Sequence, residues 1–338
     1  MLEIRNRTRY EVGVYPGVDK NGYDYATVVI KGTFDLKNHR DSLAVSEKQV
    51  PIAEAPEYFG EPGASSMKYE SDTSLTKKGT DVVLIGQAYA RGGRGKTIDV
   101  SVHVGPLNKT VRVFGNRVWF KALGLWRYTD PQPFENMPLI YERAFGGEDK
   151  THPNPSRHGL EQRNPVGTGF AISGRKERLE DLPLPNLEDP RNLIRSWRDK
   201  PEPAGFGFIG HGWVPRKDYT GTYDEAWQKE RCPLLPLDFD EFFFNGAYPD
   251  LIARPHLSGW ESVQIVNACQ DGDLTFNLPK LSFDIAVWIK GRQTTHSPVL
   301  DTVTIEPDER RVLLVWRAMV PCFRLFRHIE RVRVKEIN

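Results

Sequence analysis

Apolar and polar positions alternate most regularly in residues 98–104. There Ile98, Val100, Val102 and Val104 are separated by Asp99, Ser101 and His103. A period of two places one set of side chains on each face of an extended chain, so this segment predicts a half-buried strand. Residues 27–34 are rich in β-branched side chains, and Val82–Ile85 forms a short apolar run; both predict buried strands. Residues 111–114 and 117–120 flank Gly115-Asn116. Gly and Asn tolerate positive φ, so this stretch predicts a hairpin turning at that pair. The first 128 residues therefore predict an antiparallel meander.

The alternation stops between residues 129 and 256. Prolines recur there, as in Pro183-Leu184-Pro185 and Pro201-Glu202-Pro203, and exclude long helices. Two short helices are predicted. One spans 190–197, with Asp189 as cap and Pro190 at the first helical position; the other spans 224–230. The segment also carries Trp197, Trp213, Tyr219, Tyr223, Trp227, Phe239 and Phe242–Phe244. Such aromatic density predicts a packed region rather than a linker. Strand patterning returns after residue 257, at 263–266, 274–278, 283–289, 302–305, 311–316 and 332–335. The fold class expected is mainly β, with antiparallel sheets in a sandwich- or barrel-like arrangement. An irregular, aromatic- and Pro/Gly-rich middle with short helices interrupts them. The chain reads as one unit over 1–338, with subregions 1–128, 129–256 and 257–338.

Composition narrows the function classes. The 338 residues include 46 Lys and Arg against 45 Asp and Glu, a formal net charge of +1. That balance gives no overall electrostatic drive toward nucleic acid or an anionic membrane, and neither is an expected partner. The 29 glycines and 25 prolines exceed average usage of about 7% and 5% and imply many turns. Cys232, Cys269 and Cys322 are far apart and odd in number, which predicts buried reduced thiols. The opening residues are charged where a secretory leader needs an apolar core. The longest apolar runs fall far short of the ~20 residues that span a bilayer. A soluble cytoplasmic protein is expected.

Candidate chemistry is sparse. Residues 91–97, Arg-Gly-Gly-Arg-Gly-Lys-Thr, end like a phosphate-binding loop but lack its first glycine and precede a strand pattern instead of a helix. They predict a basic turn. His152 and His158 flank prolines, and His211, Asp238, Asp240 and His256 have no metal-ligand spacing, so neither a metal nor a cofactor is expected. No Gly-x-Ser-x-Gly elbow occurs. Arg231 beside Cys232 is a weak signal for an activated thiol. Asp238-Phe239-Asp240-Glu241 offers paired carboxylates that suit either glycoside chemistry or turn capping.

The middle of the chain carries an ordered series of motifs. It runs from Tyr141-Glu142-Arg143-Ala144-Phe145-Gly146-Gly147 through Asn164-Pro165-Val166-Gly167-Thr168-Gly169 to Leu184-Pro185-Asn186 and Pro203-Ala204-Gly205-Phe206-Gly207. Trp213-Val214-Pro215-Arg216, Gly221-Thr222-Tyr223-Asp224-Glu225-Ala226-Trp227 and Arg231-Cys232-Pro233 through Asp238-Phe239-Asp240 complete it. This series resembles a bacterial family known mainly as an uncharacterised domain of type VI secretion loci. Its members stand beside PAAR-type tip proteins or toxic effectors and are regarded as adaptor chaperones. The resemblance implies a non-enzyme that binds a cognate effector at its PAAR-like or adjacent region, keeps it stable and loads it onto the secretion spike. It carries over no catalytic residues.

Trp213, Arg216, Tyr223, Asp224, Trp227, Arg231, Asp238 and Asp240 are the candidate partner-binding or scaffold positions. Each aromatic among them is expected to fill the core. Gly146, Gly147, Gly205 and Gly207 are expected to permit tight turns. Two other readings stay open. One is a hydrolase or carbohydrate-active enzyme using Asp238, Asp240, Glu241 and a nearby histidine; the other is a structural component of the spike. A closed pocket with paired acids favours the enzyme, and a broad aromatic-lined groove favours the adaptor.

Overall fold

The computed structural model describes residues 2–36, 43–322 and 326–337. The protein is mainly β, with several mostly antiparallel sheets and only short helices. Its largest sheet has the order Ile252–Ala253, Thr80–Leu84, Val299–Glu306, Arg311–Pro321, Asp24–Asp35, Glu11–Val18, with Ala44–Val45 also paired to Asp24–Asp35. The two longest strands form its centre, in antiparallel register from Asp35 opposite Arg311 to Tyr25 opposite Pro321. Thr80–Leu84 and Val299–Glu306 pair in parallel. The central strands are buried almost throughout because both faces are covered, so they lack the regular apolar–polar alternation of a half-buried strand.

On one face, Phe34 and Trp316 meet Tyr10, and Phe283 from a four-stranded sheet closes the aromatic cluster. That second sheet runs Glu3–Arg7, Ile329–Ile337, Ser282–Ile289, Arg292–His296. The opposite face of the large sheet is ionic. Lys31 binds Asp72 at 2.7 Å, Lys77 binds Asp81 at 2.9 Å, and Arg317 binds Asp301, all buried. A third sheet joins Leu187–Glu188, Leu107–Phe114, Thr97–Val104, Ser262–Val266 and Leu274–Asn277. One continuous core runs from Tyr10 to Val334 and takes residues from all three subregions, Tyr141, Phe206 and Phe208 of the middle among them.

The predicted strands at both ends of the chain are present, but three local expectations need correction. The hairpin does not turn at Gly115-Asn116. Leu107–Phe114 pairs back onto Thr97–Val104, and the next hairpin joins Trp119–Ala122 to Leu125–Tyr128 through Leu123-Gly124. Gly115 is required for another reason: a β-carbon there would overlap the Gln132 carbonyl. No helix forms over 190–197. Asp189 accepts the Arg191 amide at 2.8 Å, as a cap would, but Glu188 accepts the Ile194 amide at 2.7 Å, which a helix would give to the Pro190 carbonyl. Among the four glycines, Gly146 and Gly147 have positive φ, whereas Gly205 makes room for the Tyr141 ring. The helix at Glu225–Glu230 does form, capped by Asp224, which accepts the Trp227 amide at 2.8 Å. Cys269 and Cys322 are buried as expected, and burial pushes the Cys322 thiol up to about 11; Cys232 is exposed. Residues 91–93 form a single turn, and Arg91 binds Asp273 at 2.6 Å.

Candidate functional site

Three of the motif segments of the middle region, those beginning at Tyr141, Pro203 and Trp213, meet in a trough beside the ionic face of the large sheet. Ile209, Pro215 and Pro249 are common to its two lobes. The larger lobe, about 280 Å³, adds Tyr141, Val214 and Tyr248, with Arg163, Glu202 and Asp250 among its polar residues. The smaller, about 120 Å³, adds Tyr219, Phe242 and Ile252, with Arg254 over the Phe242 ring at 4.5 Å. Pro203, Pro215 and Pro249 fix the backbone at three points of this lining and leave no amide there to satisfy.

A buried arginine holds the trough in shape. Arg216 Nη1 donates to Glu70 Oε2 at 2.6 Å and to the Ile209 carbonyl at 2.8 Å. Its Nε and Nη2 both donate to the Phe243 carbonyl, at 3.0 and 2.9 Å. One guanidinium thus joins three separate segments, a task that needs its rigid fork of donors. His211 Nε2 lies 3.0 Å from Glu70 Oε1. Burial pushes the Glu70 carboxyl up, but the His211 contact and the Arg216 charge outweigh it and hold the group at about 2. Asn245 Nδ2 donates to Asp81 Oδ1 at 2.8 Å and the Gly246 amide to Asp81 Oδ2 at 2.9 Å, which ties the trough wall to the strand Thr80–Leu84. At the other end, Lys109 Nζ stands 3.3 Å above the Tyr248 ring and 3.7 Å from Asp250. Burial pulls Lys109 down to about 8, against the pull of the Asp250 carboxylate, and pushes Tyr248 up to about 12.

The eight candidate positions fall in two places. Trp213 and Arg216 belong to the trough, Trp213 through an edge contact with Tyr141 at 5.7 Å between ring centroids. Tyr223, Asp224, Trp227, Arg231 and Asp238 form a separate knot at the protein surface. There Tyr223 and Trp227 pack edge to face at 4.7 Å, and Trp227 Nε1 donates to the Leu234 carbonyl at 2.8 Å. Arg231 Nε donates to the Leu235 carbonyl at 2.7 Å, and its Nη2 reaches the Lys20 carbonyl. The expectation that Tyr223 fills the core is therefore corrected: it is half exposed, and Trp227 is only partly covered, because the knot is too small to bury both rings.

Asp238 and Asp240 do not form a carboxylate pair on one strand. Asp238 accepts the Thr222 amide and hydroxyl at 3.0 and 2.7 Å, and these bonds hold its carboxyl below the usual range. Asp240 caps a single turn by accepting the Phe242 amide at 2.9 Å, while its own amide donates to the Tyr219 carbonyl of the trough. Glu241 pairs with Lys78. His158 Nε2 meets the His152 carbonyl at 2.8 Å. Among the described residues, no group of three or more His, Cys, Asp or Glu side chains is placed to hold a metal ion. The same residues contain no helix long and apolar enough to cross a membrane.

Both the trough and the knot lie within residues 21–317, which match the family model described as "Uncharacterized protein conserved in bacteria (DUF2169)". The chain belongs to that family. The DUF2169 match reaches into all three subregions and takes in every motif from Tyr141 to Asp240. No curated protein and no solved structure matches the chain.

Sequence reasoning missed Glu70, Asp81, Tyr141 and Tyr248 as parts of the site. Glu70 and Arg216 are 146 residues apart, and no local pattern marks such a pair. The one available signal was an arginine closing the Trp213–Arg216 motif in a proline-rich, aromatic setting.

Proposed function

We propose that this DUF2169 protein is a cytoplasmic adaptor chaperone of type VI secretion, and that its trough receives an extended segment of the cognate effector at or beside the PAAR-like region. The observation that carries this reading is the overlap of the trough with the motif series: Tyr141, Pro203, Val214, Pro215 and Arg216 come from the segments on which the resemblance to the adaptor family rests. An aromatic- and proline-lined groove suits an extended chain, because its rigid walls lose little entropy on binding. Binding covers apolar surface on the effector until the complex meets the spike.

The test is co-expression of effector and adaptor followed by co-purification. Val214→Arg, placed in the larger lobe, is expected to lower affinity at least about tenfold with little change in melting, the behaviour of an interface anchor. Moderate salt is expected to leave the complex intact, since the shared floor is apolar. Deleting the gene is expected to abolish secretion of that one effector while the secretion tube still fires. Normal effector abundance and secretion in the deletion strain sinks the proposal.

A further inference from the structure

The hairpin joining Trp119–Ala122 to Leu125–Tyr128 ends in a feature that its own fold does not explain. Leu123 occupies a left-handed conformation, φ 50°, followed by Gly124 at φ 81°. Two consecutive positive φ values make a tight turn in which Asn, Asp or Gly is the relaxed choice at the first position. A leucine there is strained by its β-carbon. Burial does not offset that strain, because Leu123 is 96% exposed and Leu125, just past the turn, 62% exposed. The stem is held firmly: Trp119 is buried, and Trp126 Nε1 donates to the Gly174 carbonyl at 3.2 Å. Two bare leucines are thus presented on a fixed support.

The hairpin itself is cationic, although exposed Glu180 and Asp181 stand at its base, where the Asp181 amide donates to the Trp119 carbonyl at 2.9 Å. No acidic residue occurs between Arg117 and Asp130. Lys121 and Arg127 flank the leucines, are exposed, and have no carboxylate partner among the described residues. Gly174, which anchors Trp126, leads directly into Arg175 and Lys176. These two exposed cations line an open cleft of about 570 Å³ with His152, Arg178 and Glu177. Arg178 is engaged by Asp149 at 3.3 Å, and Glu177 is the cleft's one acid. Apolar tip and basic shoulder together match the layers of a membrane: acyl chains beneath, anionic headgroups above. The net charge of +1 conceals this arrangement because it averages over the whole surface.

We propose that this face docks on an anionic lipid bilayer, with Leu123 and Leu125 entering the acyl layer and Lys121, Arg127, Arg175 and Lys176 meeting headgroup phosphates. The contact is shallow and reversible, since two leucines and four cations fall well short of a spanning anchor. It is independent of the trough, so the adaptor reading and this one fail separately.

The experiment is flotation of the full-length protein with vesicles of phosphatidylcholine mixed with phosphatidylglycerol, against phosphatidylcholine alone. The protein is expected to float with the anionic vesicles and remain behind with the neutral ones. Leu123→Asn with Leu125→Thr is expected to weaken flotation about tenfold or more, as loss of two buried leucines requires. Asn relaxes the turn, so the same variant is expected to melt no lower than the parent. Arg175→Gln with Lys176→Gln is expected to reduce the preference for anionic vesicles. Absence of flotation by the parent, or equal flotation by the leucine variant, overturns the proposal. So does a parent that ignores vesicles while the leucine variant loses a protein partner, which would make the tip a protein-docking element.

Discussion

At the scale of single residues, the chemistry of the trough rests on buried charges in fixed company. Arg216 is the clearest case: without it, Glu70 Oε2 loses its donor, and only His211 and the Ser71 amide, both on Oε1, remain. Arg216→Met is expected to cost about 3–5 kcal/mol, the range for breaking a buried pair by removing one partner. Chemical denaturation measures it, and a loss below about 1 kcal/mol would mean that the Glu70 carboxylate finds water. Lys109 provides a test in pH. Its folded value of about 8 lies below the ordinary 10.5, so between those limits the unfolded chain holds more protons than the folded one. Stability is therefore expected to rise from pH 8 to about 10, by up to about 3 kcal/mol. Above pH 10 Tyr248, held protonated up to about 12, reverses the slope. Denaturation curves of Lys109→Met should lack the rise; an equal rise in that variant would assign it elsewhere. The sequence made Arg216 and Trp213 visible through their motif. It hid Glu70 and Lys109, because polar residues in β-rich segments carry no mark of the partner they will meet across the fold.

At the scale of elements, strands were legible wherever one or both faces met the core. Thr97–Val104 and Asp24–Asp35 show the two cases, alternation for the half-covered strand and the unbroken apolar run Val28-Val29-Ile30 for the doubly covered one. Turns were less legible, because glycine serves several needs. Gly115 resembled a hairpin turn residue, yet its place is fixed by close approach of the Gln132 backbone. Gly115→Ala is expected to destabilise by about 3 kcal/mol, the upper part of the overpacking range, although alanine suits the local backbone. A variant as stable as the parent would show that residues 115 and 132 part easily. The predicted helix over 190–197 failed although Asp189 accepts the amide its cap role requires, because Glu188 captured the Ile194 amide, a competition that propensity and capping signals do not register. The helix after Asp224 met no such competitor and formed.

At the scale of the whole molecule, the sheets and the trough depend on pairings between opposite ends of the chain. Asp24–Asp35 finds its central neighbour in Arg311–Pro321, roughly 280 residues later. Seen in time, this is a delay. At synthesis rates of about 5–20 residues per second, the first of these strands waits some 15–55 s for the second. During that interval a strand that folding buries almost wholly has Glu11–Val18 on one side and an unpaired edge on the other. Unpaired apolar edges attract other chains. A fragment ending before residue 300 is accordingly expected to be insoluble when expressed alone, and a soluble, monomeric fragment would contradict this. A protein proposed to guard another chain's exposed surfaces thus spends its own synthesis in need of the same protection.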